Sequence, residues 1–181
     1  MVSQFVSNDD VRLLGDLNYS FPEGTHAIGR LDNNSEGLLI LSTNKKLTRL
    51  LFQSEVPHKR KYLVQVNNSL SNESVACLRH GITFKSKGGI PYQTLPCEAN
   101  ITDIPENLFT NGKVINENQQ TCWLYLTLTE GKYHQVRKMI KAVRHRCLRL
   151  IRISIENLEL GNLQPGEVLE VAEAELFSKL R

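Results

Sequence analysis

The chain has 181 residues, 40% of them hydrophobic, and a formal charge of +3 at pH 7. That is enough apolar material for the core of one domain of ordinary size, with or without a small appended lobe. The opening stretch MVSQFVSNDD lacks a basic n-region and an apolar h-region, and no run of about 18 apolar residues occurs, so neither a secretory leader nor a membrane span is expected and a cytoplasmic location is.

Residues 1–25 are polar and mixed, ending in the turn-like Phe21-Pro22-Glu23-Gly24, and predict only a short helix or loop lobe. Gly37 to Leu41 is an apolar run of strand length. After Ser42-Thr43-Asn44, leucines at positions 47, 50 and 51 predict a helix over Lys45 to Gln53, stopped by Pro57. Lys61 to Val66 (KYLVQV) predicts a strand, and Ser71 to His80 a helix with Ser71 as N-cap and Gly81 as its stop. Gly88-Gly89 marks a turn, the two prolines in Pro91 to Cys97 point to an extended edge segment, and Ile104 to Gln120 reads as a long polar loop.

Cys122 to Thr129 alternates as a strand does. The next apolar set, Val136, Met139, Ile140 and Val143, has helical spacing and would display Arg137, Lys138, Lys141 and Arg144. Cys147 to Ile155 predicts another strand, Gln164 to Glu167 a turn, and Ala172 to Leu180 a closing helix. Strand-rich stretches with a few scattered helices, and no regular βαβ alternation, define an α+β protein around a mostly antiparallel sheet. The four cysteines form no C-x-x-C pair and stand at no zinc-finger interval, so they are expected as reduced core residues and no metal is implied.

Charge is concentrated along the chain. Between Gly131 and Ile155 there are eight basic residues and no acid, which leaves the remainder net acidic, and a second cluster occupies His58 to Lys61. Such segregation suits a polyanion, above all nucleic acid; a solvated helix face is the alternative.

Three stretches place chemically useful residues at element boundaries: GRLD at Gly29 to Asp32, KYLV at Lys61 to Val64, and EGKYHQVRKM at Glu130 to Met139. Each alone has an ordinary use, as a turn-forming Asp, a core Tyr or a solvated Arg at a helix start. Taken in order, GRLDNNSEGLLILS, KRKYLVQV and EGKYHQVRKMIKAVRHRCLRLIRI resemble the three sequence blocks of the RsuA-type pseudouridine synthase family, over roughly Ser3 to Val171. Within it the chain is most similar to short members lacking an N-terminal S4 RNA-binding domain.

The resemblance implies the pseudouridine synthase fold, a large mixed, mainly antiparallel sheet with flanking helices and a central catalytic cleft. It further implies a single catalytic domain over residues 1–181, with 1–25 as a small N-terminal lobe. The implied activity is an isomerase that converts a uridine of RNA to pseudouridine, expected in 23S ribosomal RNA, with small-subunit and transfer RNA as alternatives. Isomerisation within one substrate calls for no cofactor, and a monomer is expected. By the same resemblance Asp32 is the catalytic carboxylate, Tyr62 stacks on the target base, and Arg137 is the cation paired with Asp32. A carboxylate serves either as nucleophile or as base, and an adjacent guanidinium favours its ionised form. Gly29, Arg30, Lys61, Lys132, His134, Gln135, Lys138, Arg144 and Arg149 are the candidates for RNA contact.

Two features depart from the family pattern. Tyr133-His134 stand where the third block usually reads Asn-Arg, and the chain opens at Met1-Val2-Ser3-Gln4 inside a block that usually carries a K-P-x-G strand, so that strand is expected to be missing. A non-catalytic RNA- or ribosome-binding module on the same fold is the alternative. Asp32 discriminates, since a module that only binds RNA gains nothing from an acid that repels phosphate.

Overall fold

The computed structural model describes residues 1–52, 56–106, 108–109 and 120–180. In chain order its elements are β1 (His26–Ile28), β2 (Glu36–Gly37), β3 (Ile40–Ser42), α1 (Lys46–Phe52), β4 (Arg60–Asn67), α2 (Asn72–His80), β5 (Thr83–Lys85), β6 (Pro91–Gln93) and β7 (Glu98–Thr102). They are followed by β8 (Thr121–Leu128), α3 (Gln135–Ala142), β9 (Cys147–Ile155), β10 (Leu158–Glu159) and α4 (Glu173–Lys179).

The scaffold is a six-stranded sheet in the order β10-β9-β4-β8-β7, with β2 added to the outer side of β9. All pairings in it are antiparallel except β2 with β9. The alternation of β4, β8 and β9 divides their side chains between two faces. Val64, Val66, Leu124, Leu126 and Leu150 turn to one face and are covered by Val75 and Leu78 of α2 and by Val136, Met139 and Ile140 of α3. Leu63, Trp123 and Ile151 turn to the other. A separate apolar cluster joins Ile28, Leu38 and Ile40 to Leu47 and Leu51 of α1 and to Leu180 after α4.

Most expected elements form within a residue or two of their predicted bounds. Ser71 caps α2 by accepting the Ser74 N–H at 3.2 Å, and Gly81 closes that helix. The apolar run Gly37 to Leu41 does not form one strand. It is broken between two sheets: β2 adds to β9 in parallel, and β3 pairs with β1. The break is at Gly37, whose φ is +99°. There the backbone lies so close to β9 that a Cβ would stand 2.3 Å from the Arg152 carbonyl oxygen. The apolar residues on either side therefore serve tertiary packing rather than one continuous ladder. Of the extended segment expected over Pro91 to Cys97, Pro91–Gln93 is a strand, and Thr94 beyond it bonds Ile82 twice, its N–H donating to the Ile82 carbonyl at 3.2 Å and its hydroxyl accepting the Ile82 N–H at 2.9 Å. The loop expected over Ile104 to Gln120 falls largely outside the described residues. Helix α3 ends at Ala142, so Val143 is its C-cap and Arg144 lies beyond it at φ +65°.

Among the described residues no helix is long and apolar enough to cross a membrane. Gly37→Ala is expected to cost at least about 2 kcal/mol, from backbone strain at positive φ added to overlap with the Arg152 carbonyl. Urea denaturation checks this as a lowered midpoint at unchanged slope.

Candidate active site

Asp32, Tyr62 and the start of α3 converge on one cavity of about 310 Å³. That lies at the low end of the range for small-molecule sites. Its walls are the 29–35 segment, the beginning of β4, and the 130–135 loop. Arg30, Arg60, Lys132 and Arg152 line it together with Asp32 and Glu130, so basic groups outnumber acids around the opening.

Tyr62 is placed by strand register. It lies opposite Leu126 of β8 and Arg152 of β9, and the β4–β9 pairing shifts between Lys61 and Tyr62, so that Ile153 is skipped. Such irregularities re-aim side chains. Here the phenol of Tyr62 meets the guanidinium of Arg152, which is only 3% exposed. Burial pulls the pKa of Arg152 below its ordinary value, opposed by the Tyr62 phenol, and its Nε donates to the Leu38 carbonyl at 2.8 Å. The strand alternation that directs Tyr62 to the cleft directs Lys61 away from it: the Lys61 ammonium stands 4.4 Å from the Tyr125 ring.

Asp32 opens a tight turn in which the Ser35 N–H donates to its carbonyl at 2.8 Å. Just before it, Leu31 is pinned from the N-terminal segment, since Ser3 Oγ accepts the Leu31 N–H at 3.0 Å and donates to the Leu31 carbonyl at 3.1 Å. The expected ion pair between Asp32 and Arg137 is not formed. Arg137 Nη2 donates to the Asn34 carbonyl at 2.6 Å, with Ser35 Oγ at 3.4 Å, and Nη1 reaches the Cys147 carbonyl at 3.4 Å. Both Nη atoms of the guanidinium are spent on the turn and on β9, so Arg137 clamps the turn that carries Asp32 rather than pairing with its carboxylate.

The imidazole beside Asp32 is that of His134, with Nε2 3.5 Å from Oδ1. His134 is the N-cap of α3 and has φ +54°, and its ring stacks on Tyr133 at 3.9 Å between centroids and 17° between planes. The contact with Asp32 was not legible from spacing, although the departure at Tyr133-His134 marks the place.

Two other candidates are held by internal partners. Gln135 is buried; its side-chain oxygen accepts the Lys132 N–H at 2.8 Å and its amide donates to Glu130 at 2.6 Å. Glu130 also accepts the Leu95 N–H and the Tyr92 hydroxyl, and the latter bond pushes the Tyr92 phenol up to about 12. Gln135 therefore shapes the loop before α3. Arg149 is buried on the other side of the sheet, bidentate on Glu36 at 3.2 and 2.7 Å and near the rings of Phe109 and Trp123. Both residues are corrected from candidate RNA contacts to internal supports, because their polar atoms already bond within the protein. Gly29, Arg30 and Lys132 line the cleft, Lys138 stands beside it against Tyr133, and Arg144 is exposed beyond α3.

The architecture is that of a pseudouridylate synthase. A crystal structure described as a pseudouridylate synthase matches it with a TM-score of 0.75, covering 99% of this chain and 69% of that one at 23% identity. The family model described as RNA pseudouridylate synthase matches residues 9–142, and the chain belongs to that family. Relatives include the ribosomal large subunit pseudouridine synthase E of Vibrio parahaemolyticus, 34% identical over 171 residues, which are 94% of this chain and 69% of the relative. The protein of the same name from Vibrio vulnificus is 33% identical over 94% of this chain and 70% of its own. An uncharacterised RNA pseudouridine synthase of Bacillus subtilis is 35% identical over 82% of this chain and 55% of its own.

Two outcomes test this arrangement. Glu36→Ala strands the buried Arg149 guanidinium and is expected to lower stability by about 3 kcal/mol, read by urea denaturation. Burial pushes the Cys147 thiol up to about 11, with Arg137 opposing and Asp32 adding to the rise. Since the thiolate is the reactive form, iodoacetamide at pH 8 is expected to modify the exposed Cys77 well before Cys147, with the order read by peptide mass spectrometry.

Proposed function

We propose that this protein isomerises a uridine to pseudouridine in ribosomal RNA, most specifically in the 23S RNA of the large subunit, acting as a monomer in the cytoplasm. The family membership and the names of the relatives support the reaction and its ribosomal substrate. The observation that carries the site is the Asp32 carboxylate, with no guanidinium bonded to it, in a cleft where basic groups outnumber acids and Tyr62 forms a wall.

In this reaction the C1′–N1 bond of the uridine breaks, the uracil turns, a C1′–C5 bond forms, C5 loses its proton and N1 ends protonated. Atoms balance within the substrate, and no oxidant or external group is consumed. A flipped uridine suits a cavity of about 310 Å³. The Tyr62 ring replaces lost base stacking, an exchange of roughly 1–3 kcal/mol per base. Asp32, held by the Arg137 clamp on its turn, attacks C1′ or assists proton removal from C5; either role needs an uncommitted carboxylate near the sugar. Arg137 acts as a positioning residue. Gly29, Arg30, Lys132, His134, Lys138 and Arg144 are the proposed RNA contacts, with cations drawing in phosphate.

The test uses 23S RNA transcribed with uridine tritiated at C5, since isomerisation releases that hydrogen to water. Asp32→Asn is expected to lower the release rate by roughly 10²- to 10⁴-fold or more while RNA affinity stays within a few-fold. Full turnover by the variant would overturn the assignment of Asp32. RNA binding by the wild-type protein without release from 23S, 16S or transfer RNA would favour a binding module instead.

A further inference from the structure

Tyr133 is not used by the mechanism above. It is 65% exposed, a large aromatic ring left in solvent at the mouth of the cleft that it lines. Exposed single apolar residues are ordinary, but this ring is held in place. It stacks on His134, the N-cap residue of α3 with a left-handed backbone, whose Nε2 stands 3.5 Å from Asp32 Oδ1. A non-glycine residue at positive φ is uncommon and is found disproportionately where structure serves a site. Phosphate-seeking charge surrounds the ring: the Lys138 ammonium lies 5.4 Å from its centroid, and Arg30 and Lys132 line the same opening. A fixed aromatic face beside a basic groove is the combination by which proteins hold unstacked nucleotides.

We propose that Tyr133 is a second base-stacking platform, taking the nucleobase adjacent to the target uridine while Tyr62 takes the target, with Lys138 on the phosphate between them. This rests on the cleft being the RNA site proposed above. Flipping one nucleotide leaves its neighbour without a stacking partner on that side, and Tyr133 offers a replacement at the rim. Stacking is tolerant of sequence but favours the larger π-surface of a purine, so the platform would give the enzyme a preference at a position it does not modify.

The experiment titrates a 12-nucleotide single-stranded RNA carrying 2-aminopurine, whose fluorescence is quenched on stacking, with wild type, Tyr133→Phe, Tyr133→Ala and Lys138→Ala. In parallel, KM and kcat for tritium release from 23S RNA are measured. Tyr133→Ala is expected to weaken binding by roughly 5- to 150-fold, the range of one lost stacking partner, with loss of quenching and an unchanged salt slope. Tyr133→Phe restores affinity and quenching. Lys138→Ala keeps the quenching and flattens the salt slope by about 0.7. In the tritium assay Tyr133→Ala raises KM more than it lowers kcat. The proposal is overturned if Tyr133→Ala binds and quenches as wild type does, or if Tyr133→Phe fails with it. Failure of the catalytic reading would look different: no tritium release from wild type, with the quenching difference between Ala and Phe still present.

Discussion

The site depends on one close backbone approach. Gly37 runs against Arg152 so tightly that Leu38 N–H bonds the Arg152 carbonyl at 2.8 Å and Arg152 Nε returns a bond to the Leu38 carbonyl at the same distance. This docks the short strand Glu36–Gly37 on the sheet in parallel. Only a residue without Cβ tolerates the approach. Everything upstream inherits its position from that docking: the 32–35 turn, Asp32 at its start, and Leu31, which Ser3 holds from the other side. Arg152, the residue whose backbone receives Gly37, also presents its side chain to Tyr62. One strand position therefore joins the loop bearing the acid to the strand bearing the aromatic.

Charge is used in two ways that the sequence does not separate. Arg137, Arg149 and Arg152 spend their guanidinium groups on internal acceptors, namely turn and strand carbonyls and the Glu36 carboxylate. Planar, weakly hydrated guanidinium tolerates such burial where an ammonium would not. Arg30, Lys132 and Lys138 remain at the cleft, where polyanion attraction is exerted. Basic concentration near α3 and β9 thus does structural service as well as any service to RNA. The freedom of Asp32 follows from the same division: with Arg137 committed to the turn, its neighbour is an imidazole at 3.5 Å rather than a tightly bonded guanidinium.

The strands Arg60–Asn67, Thr121–Leu128 and Cys147–Ile155 and the helices Asn72–His80 and Gln135–Ala142 were legible because alternation, helical spacing and the Ser71 cap are local signals. The ordered blocks that hold Asp32, Tyr62 and Arg137 likewise resembled the family to which the chain belongs. The apolar run Gly37 to Leu41 carries no record of which sheet each end joins. Arg137 and Arg149 show a related limit: spacing reports that a cation is present, and only contacts report whether it is already paired.

The amino-acid order by itself determined the element types, through periodicity, and the family, through the resemblance carried by the order of its motifs. The tertiary structure decided what each polar group does. The shifted β4–β9 register set Tyr62 against Arg152, the approach at Gly37 fixed the Asp32 loop, and the positive φ of His134 brought an imidazole to the carboxylate and left Tyr133 exposed. Those outcomes depend on distances between residues about a hundred positions apart along the chain, which no local pattern of propensity encodes.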